Sequence, residues 1–233
     1  EVLCGIRAMD YSTIYRCRVC TSNDLEILFS MGDHRLSGFP LPTEPKRPYV
    51  PLVFAWCNGC QCLQQRHSAN PTLLHQGHYW YRSSVSDTMQ KALIDVATAS
   101  AQRVKLEEGD LILDIGSNDG TFLRTFGDKL IRVGVEPMAH SLDESSRGLS
   151  LVVTDPWGDG PALQAVQKAV SARKAKIVTA LGMLYSVENP DNFVRDVSRI
   201  LHDDGVFVVQ LMTLGDMLQA CDVGNLCHEH LTF

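Results

Sequence analysis

Five short apolar runs, separated by stretches of helical character, constrain this chain more than any other feature. The runs are LILDI (111–115), IRVGVE (131–136), LSLVV (149–153), KIVTAL (176–181) and GVFVVQL (205–211). Before and between them lie LIDVATASAQRVKLEE, PALQAVQKAVSARK and NPDNFVRDVSRIL. A strand buried on both faces reads as a continuous apolar run. Strand–helix alternation then requires right-handed crossovers between parallel neighbours. The expected fold is α/β, a doubly wound, Rossmann-like parallel sheet over residues 69–233, with ligands at the carboxyl ends of the strands.

The first 68 residues read as a separate module. YRCRVC and WCNGCQC supply Cys17, Cys20, Cys57 and Cys60 in two C-x-x-C pairs. That spacing lets two thiolates of one tight turn reach the same ion, and two such turns complete a tetrahedral Cys4 site. Half of the chain's ten prolines fall between the pairs, in LSGFPLPTEPKRPYVPLVFAW. Proline restricts strands there to edges, so the segment buries little core and a metal replaces what is missing. A closed Cys4 site leaves no open position, which makes the expected zinc structural. Cys62 reads as a bystander. Paired C-x-x-C spacing in a chain of 233 residues also implies a reducing compartment, hence the cytoplasm.

The first run of the α/β part ends in LDIGSNDGTFL, which gives Asp114-x-Gly116-x-x-x-Gly120 with Asn118 between the glycines. Glycines allow a ligand close to the backbone, and a helix N-terminus is expected to follow. A carboxylate at the strand end repels a pyrophosphate but suits a cationic ligand. The second run ends in Glu136, placed to accept hydrogen bonds from ribose hydroxyls. Together these point to S-adenosylmethionine, with its amino-acid moiety at the first loop and its ribose at Glu136. Asp155, after the third run, is a candidate acceptor for the adenine amino group. TALGML, at the fourth, faces the methionine moiety in this reading.

The charge balance excludes some partners. Net charge is −6, and the densest basic stretch is PKRP at 45–48. No basic stripe for nucleic acid is present. No apolar run approaches the roughly 18–20 residues of a membrane span. EVLCGIRAMD lacks the pattern of a signal peptide. NLCHEHLTF (225–233) concentrates His228, Glu229 and His230 beside Cys227. In an extended segment the two histidines point one way and Glu229 the other. An acid–base or substrate-binding site, a structural polar loop and a metal site all stay open for it.

In this order, zinc knuckles, YWYRSS, DIGSNDGTFL, GVEP and CHEH resemble the sugar C-methyltransferases that act on nucleotide-linked 4-keto-deoxysugars in antibiotic pathways. The resemblance implies a class I methyltransferase sheet and a small-molecule nucleotide-sugar substrate. It also implies a further C-terminal domain, which on this reading the chain lacks, and methylation of a base-generated enolate. It makes His230 the base, Glu229 and His228 its supports, and Tyr79 and Tyr81 lining residues of the active site. Two positions depart from the pattern. Cys227 stands where the family usually has Tyr, and Ser186, beside Tyr185, where it usually has His. Other readings are a methyltransferase acting on another small-molecule acceptor or on RNA, the latter disfavoured by the acidic charge, and an inactive scaffold that binds zinc and cofactor.

Overall fold

The computed structural model describes residues 10–36, 43, 46–74, 81–137 and 146–233. The chain divides into two compact units. One runs to His78 and takes in Met212–Phe233; the other is Tyr79–Leu211.

In the first unit, β2 (Leu25–Arg35), β3 (Tyr49–Cys57) and β4 (Leu63–Gln65) form an antiparallel sheet, and β1 (Tyr11–Thr13) pairs antiparallel with β5 (His67–Ala69). Residues 17–22 and 57–62 repeat one turn. Cys17 N donates to Ser22 O and Thr21 N to Cys17 O, while Cys57 N donates to Cys62 O and Gln61 N to Cys57 O. Thr21 and Gln61, the fifth residue of each turn, share a left-handed φ of 62° and 59°. The expected boundary at 68/69 falls inside β5, because His67–Ala69 is the partner strand of β1.

The second unit carries the parallel sheet. Its strands are β6 (Leu111–Ile115), β7 (Ile131–Val135), β8 (Leu151–Val153), β9 (Ala175–Leu181) and β10 (Leu201–Gln210), in the order β10-β9-β6-β7-β8. Every pairing is parallel. α1 (Asp87–Ala101) starts at Ser86, whose hydroxyl accepts from Met89 N. α2 (Pro161–Ala169) and α3 (Pro190–Ile200) both begin on proline, which tolerates the donor-free first turn. Leu111, Leu113 and Ile115 face Leu163, Val166, Phe193 and Val197 of α2 and α3. Ile112 faces the other way, to Leu93 and Ala97 of α1. That period of two is what a sheet covered on both faces requires.

Two local expectations differ from the structure. The helical stretch read through residue 108 ends at Ala101, and Val104 and Leu106 instead pack against the α1 side of the sheet. No α-helix follows the glycine-rich loop. Leu123–Thr125 is a single 3-10 turn, because about ten residues between Gly120 and β7 leave too little chain for a helix and its return.

Met212–Phe233 packs with the first unit. α4 (Leu214–Ala220) is capped by Thr213, and Leu214, Leu226 and Phe233 cover Leu52, Phe54 and Leu63. Phe233 N donates to Leu63 O and Gln65 N to Leu231 O, with Gln64 and Thr232 paired antiparallel. The tail thus runs along the edge of β4 opposite β3. The apolar runs predict an α/β domain over 69–233 that takes in these residues.

Candidate functional site

The sheet order reverses between β6 and β9, since their following strands lie on opposite sides. Such a switch point opens a crevice at the carboxyl ends of the two strands. Its walls are the loops after β6 and β9, and they approach closely. A Cβ on Gly116 would lie 2.8 Å from Met183 Cγ. Gly116, Asn118 and Gly120 take left-handed φ values of 78°, 50° and 77°. Asparagine tolerates that region better than most residues, so Asn118 continues the alternation glycine began.

Two carboxylates flank this loop. Asp114 is buried and accepts from Thr179 Oγ1 of β9 at 2.5 Å. Burial pushes its carboxyl up to about 7; the Thr179 hydrogen bond opposes the shift and the Glu136 charge adds to it. Glu136, also buried, directly follows β7 and accepts from Asn118 N through Oε2 at 2.8 Å. The structure therefore gathers Asp114, Gly116, Asn118, Gly120 and Glu136 around one loop. Asp155 stands exposed after β8. Acidic groups fit a cationic amine and sugar hydroxyls, not a pyrophosphate.

Sequence reasoning missed the clamp on this loop. Asn118 Oδ1 accepts from Ser83 N and its Nδ2 donates to Tyr81 O. Asp119 is fully buried and accepts from Ser84 N, Thr121 N and Thr121 Oγ1. Burial works to raise this carboxyl, but those donors outweigh it and hold it below its usual range. The side chains of the "ND" in SNDG thus pin the "YRSS" segment. Three acidic and polar letters between two glycines, Ser117, Asn118 and Asp119, were the available signal. Tyr81 is itself 48% exposed, and Tyr79 lies outside the described residues. Tyr185 is half-buried, its hydroxyl 3.6 Å from where a Gly182 Cβ would sit, while Ser186 is exposed.

In the first unit the two knuckle turns bring four sulfurs together. Cys17, Cys20, Cys57 and Cys60 have their Sγ atoms within 4.8 Å of one another, with Cys17–Cys60 at 3.6 Å and Cys20–Cys57 at 3.5 Å. A tetrahedral zinc with Zn–S near 2.3 Å has sulfur–sulfur edges of about 3.8 Å, so the cluster fits such an ion. Burial works against a Cys17 thiolate, yet N–H donors from Cys20, Gln64 and Val19 bring it down to about 6. Burial and the neighbouring thiols push Cys60 up. Cys62 turns away and donates to Leu63 O.

The H-E-H residues divide. His228 is buried, and its Nε2 donates to Val50 O at 3.0 Å. Burial pushes its imidazole below the usual range, so it is held neutral. His230 is half-buried, with Nδ1 2.8 Å from Asn225 O and 3.5 Å from Cys227 Sγ. A carbonyl only accepts, so His230 Nδ1 is the donor to Asn225 O. Burial pushes the Cys227 thiol up, which keeps it neutral.

A family model described as a methyltransferase domain matches residues 82–233. The C-methyltransferase NovU of Streptomyces niveus is 28% identical over 227 residues, 94% of this chain and 52% of that protein. The chain thus spans about half the length of this relative. DesVI of Streptomyces venezuelae is 19% identical with a TM-score of 0.42, over 55% of this chain and 52% of that one. The plantazolicin methyltransferase BpumL, in complex with SAH, is 11% identical with a TM-score of 0.45, over 57% and 51%. With a family match over well more than half its length, laid on a sheet whose switch point holds Asp114 and Glu136, the chain belongs to the methyltransferase-domain family.

Proposed function

We propose that the chain is an S-adenosylmethionine-dependent methyltransferase that methylates carbon next to a ketone of a nucleotide-linked deoxysugar. The observation that carries the methyl-donor part is the buried Asp114–Glu136 pair around a loop with three left-handed residues. Asp114 receives the cationic amine, Glu136 the ribose hydroxyls, and Gly116, Asn118 and Gly120 let the ligand approach the backbone. Asp155 is the proposed acceptor for the adenine amino group. When bound, S-adenosylmethionine supplies an electrophilic methyl on a positively charged sulfur.

The carbon acceptor rests on the resemblance above, on the similarity to NovU and on His230. With Nδ1 committed to Asn225 O, Nε2 is the atom that takes the proton from the carbon beside the ketone. The carbon so deprotonated would then be the atom that takes the methyl a bound donor supplies, with the proton left on His230 Nε2. Glu229 and the Tyr79–Tyr81 segment are proposed to contact the substrate. His228, neutral and bonded to Val50 O, supports the loop and does not transfer the proton. In the first unit Cys17, Cys20, Cys57 and Cys60 would hold a structural zinc.

Mass spectrometry of reactions with a panel of nucleotide-linked keto-sugars tests the whole reading. Methylated product with wild type, and at least 100-fold less with His230→Ala, is expected. Full turnover by His230→Ala removes the base assignment. No heat in calorimetry with S-adenosylmethionine or its demethylated product removes the methyltransferase reading.

A further inference from the structure

Two consecutive buried glutamines of β4 join the cysteine cluster to the loop that carries His230. Both side chains are fully buried. As neighbours on a strand they point to opposite faces. Gln64 Nε2 donates to Cys17 Sγ at 3.1 Å, and its Oε1 accepts from Arg18 N, inside the first knuckle. Arg18 in turn donates to Gln65 O at 2.6 Å. Gln65 reaches the other way. Its Nε2 donates to the carbonyls of both Cys227 and His230, the latter at 2.5 Å. Those two carbonyls bracket the H-E-H turn, and the same turn is closed by His230 N donating to Cys227 O. The amide orientation is fixed by this contact, because a flipped amide would set its oxygen against two acceptors. The backbone of β4 adds Gln65 N to Leu231 O and the Gln64–Thr232 pairing.

We propose that Gln65 is a positioning residue that carries the state of the cysteine cluster to the His230 loop, so that a bound metal presents His230 and an empty cluster releases it. The inference rests on His230 being the functional base, but its mechanics do not. A metal ion locks both knuckles and fixes the register of β4 behind Cys57–Cys62. With β4 fixed, Gln65 holds the two carbonyls, and the loop keeps Asn225 O on His230 Nδ1. Without the ion the four sulfurs separate, Gln64 loses its thiolate partner, and the strand that carries Gln65 loosens.

The experiment reads the loop without turnover. The 233-residue chain is loaded with zinc, and two signals are followed: the His230 Nδ1–H resonance and the iodoacetamide alkylation rate of Cys227, mapped by peptide mass. Chelation should abolish the resonance and raise Cys227 alkylation at least tenfold, and zinc should restore both. Gln65→Met keeps the volume and removes the donors. It should show the same two changes while one zinc per chain is retained and Cys17, Cys20, Cys57 and Cys60 stay protected. Unchanged Cys227 reactivity in zinc-loaded Gln65→Met overturns the proposal. If that variant does not fold, wild type decides: the resonance should fall in proportion to zinc removed, and a resonance that persists in metal-free protein overturns the proposal. Loss of coupling with normal His230-dependent turnover separates this inference from the base assignment.

Discussion

Each of the two units is stabilised internally by a different means. The parallel sheet is closed by area. Leu111, Leu113, Ile115, Val133, Val135, Val178 and Ala180 meet α2 and α3 on one face, and Ile112 and Ile177 meet α1 on the other. Among the described residues the knuckle unit has small apolar clusters, Leu36–Val50–Ala69 and Leu52–Phe54–Leu63, each widened by half-buried neighbours. What it buries instead is polar: Arg18, Gln64, Gln65 and His228, beside Cys17 and Cys57. Apolar burial is non-directional and tolerates small displacements, whereas buried amides and thiols hold only while each partner stays in place. One unit should therefore answer to loss of volume and the other to loss of a specific partner.

Metal removal should separate them most strongly. In small metal modules the binding free energy is folding free energy, on the order of 10 kcal/mol for zinc. Chelation, or Cys57→Ser, should leave the amides of β3 and β4 exchanging freely with deuterium. Those of β6 and β9 should stay protected. Equal loss of protection in both units would show that they share one cooperative core.

The opposite cut comes from Phe193→Ala. Phe193 is fully buried against the sheet, and its carbonyl accepts from Trp157 Nε1. Truncation should cost about 3–5 kcal/mol. Differential scanning calorimetry should show a lower transition for the sheet unit and an unchanged one for the zinc-loaded knuckles.

What the residues revealed in advance follows the same divide. The apolar runs predict all five strands of the sheet to within a few residues, because a doubly buried strand has no other pattern. LILDI is β6 from first letter to last. The 3-10 turn after Gly120 was not legible, since TFLRTF has helical composition and only chain length forbids the helix. The cysteine pairs gave the cluster, but not its matched turns with Thr21 and Gln61 left-handed, which neither residue type advertises. The tail was least legible. Gln64 and Gln65 look like surface letters, and nothing local indicates that residues far along the chain will cover them.

The carboxylates make an intermediate test of the sheet unit. Asp114 titrates near 7 when folded and near 4 when unfolded. Its contribution to stability is present below about pH 4 and is lost as pH rises through about 7, so the empty sheet unit should weaken over that window. Asp114→Asn should flatten this slope. A cationic ligand favours the ionised carboxylate, so affinity for S-adenosylmethionine in wild type should rise roughly tenfold per unit from pH 5 to 7 and level off above. Calorimetric titration across that range checks it. An affinity independent of pH removes Asp114 from the amine site.

The smallest expected effect belongs to the knuckle unit and turns on His228. Its folded imidazole is held below the usual range by burial, with the Val50 carbonyl opposing and His34 adding to the depression. The unfolded side chain takes its proton near pH 6.5. Below that value the unfolded state binds the extra proton, so stability falls with acid and is complete above about pH 7. His228→Gln keeps a donor for Val50 O and removes the titration, and His230 on the same turn stays in place as the internal control. Zinc-loaded wild type should lose on the order of 1 kcal/mol between pH 7 and 5.5 in denaturant melts followed at the tail, where His228→Gln should lose less. Metal release in acid would act on the cysteines of both proteins alike, so the difference between the two curves isolates the imidazole. Parallel curves would mean that His228 takes its proton while still folded, and that the tail is held by Gln65 and the apolar contacts of Leu226 and Phe233 alone.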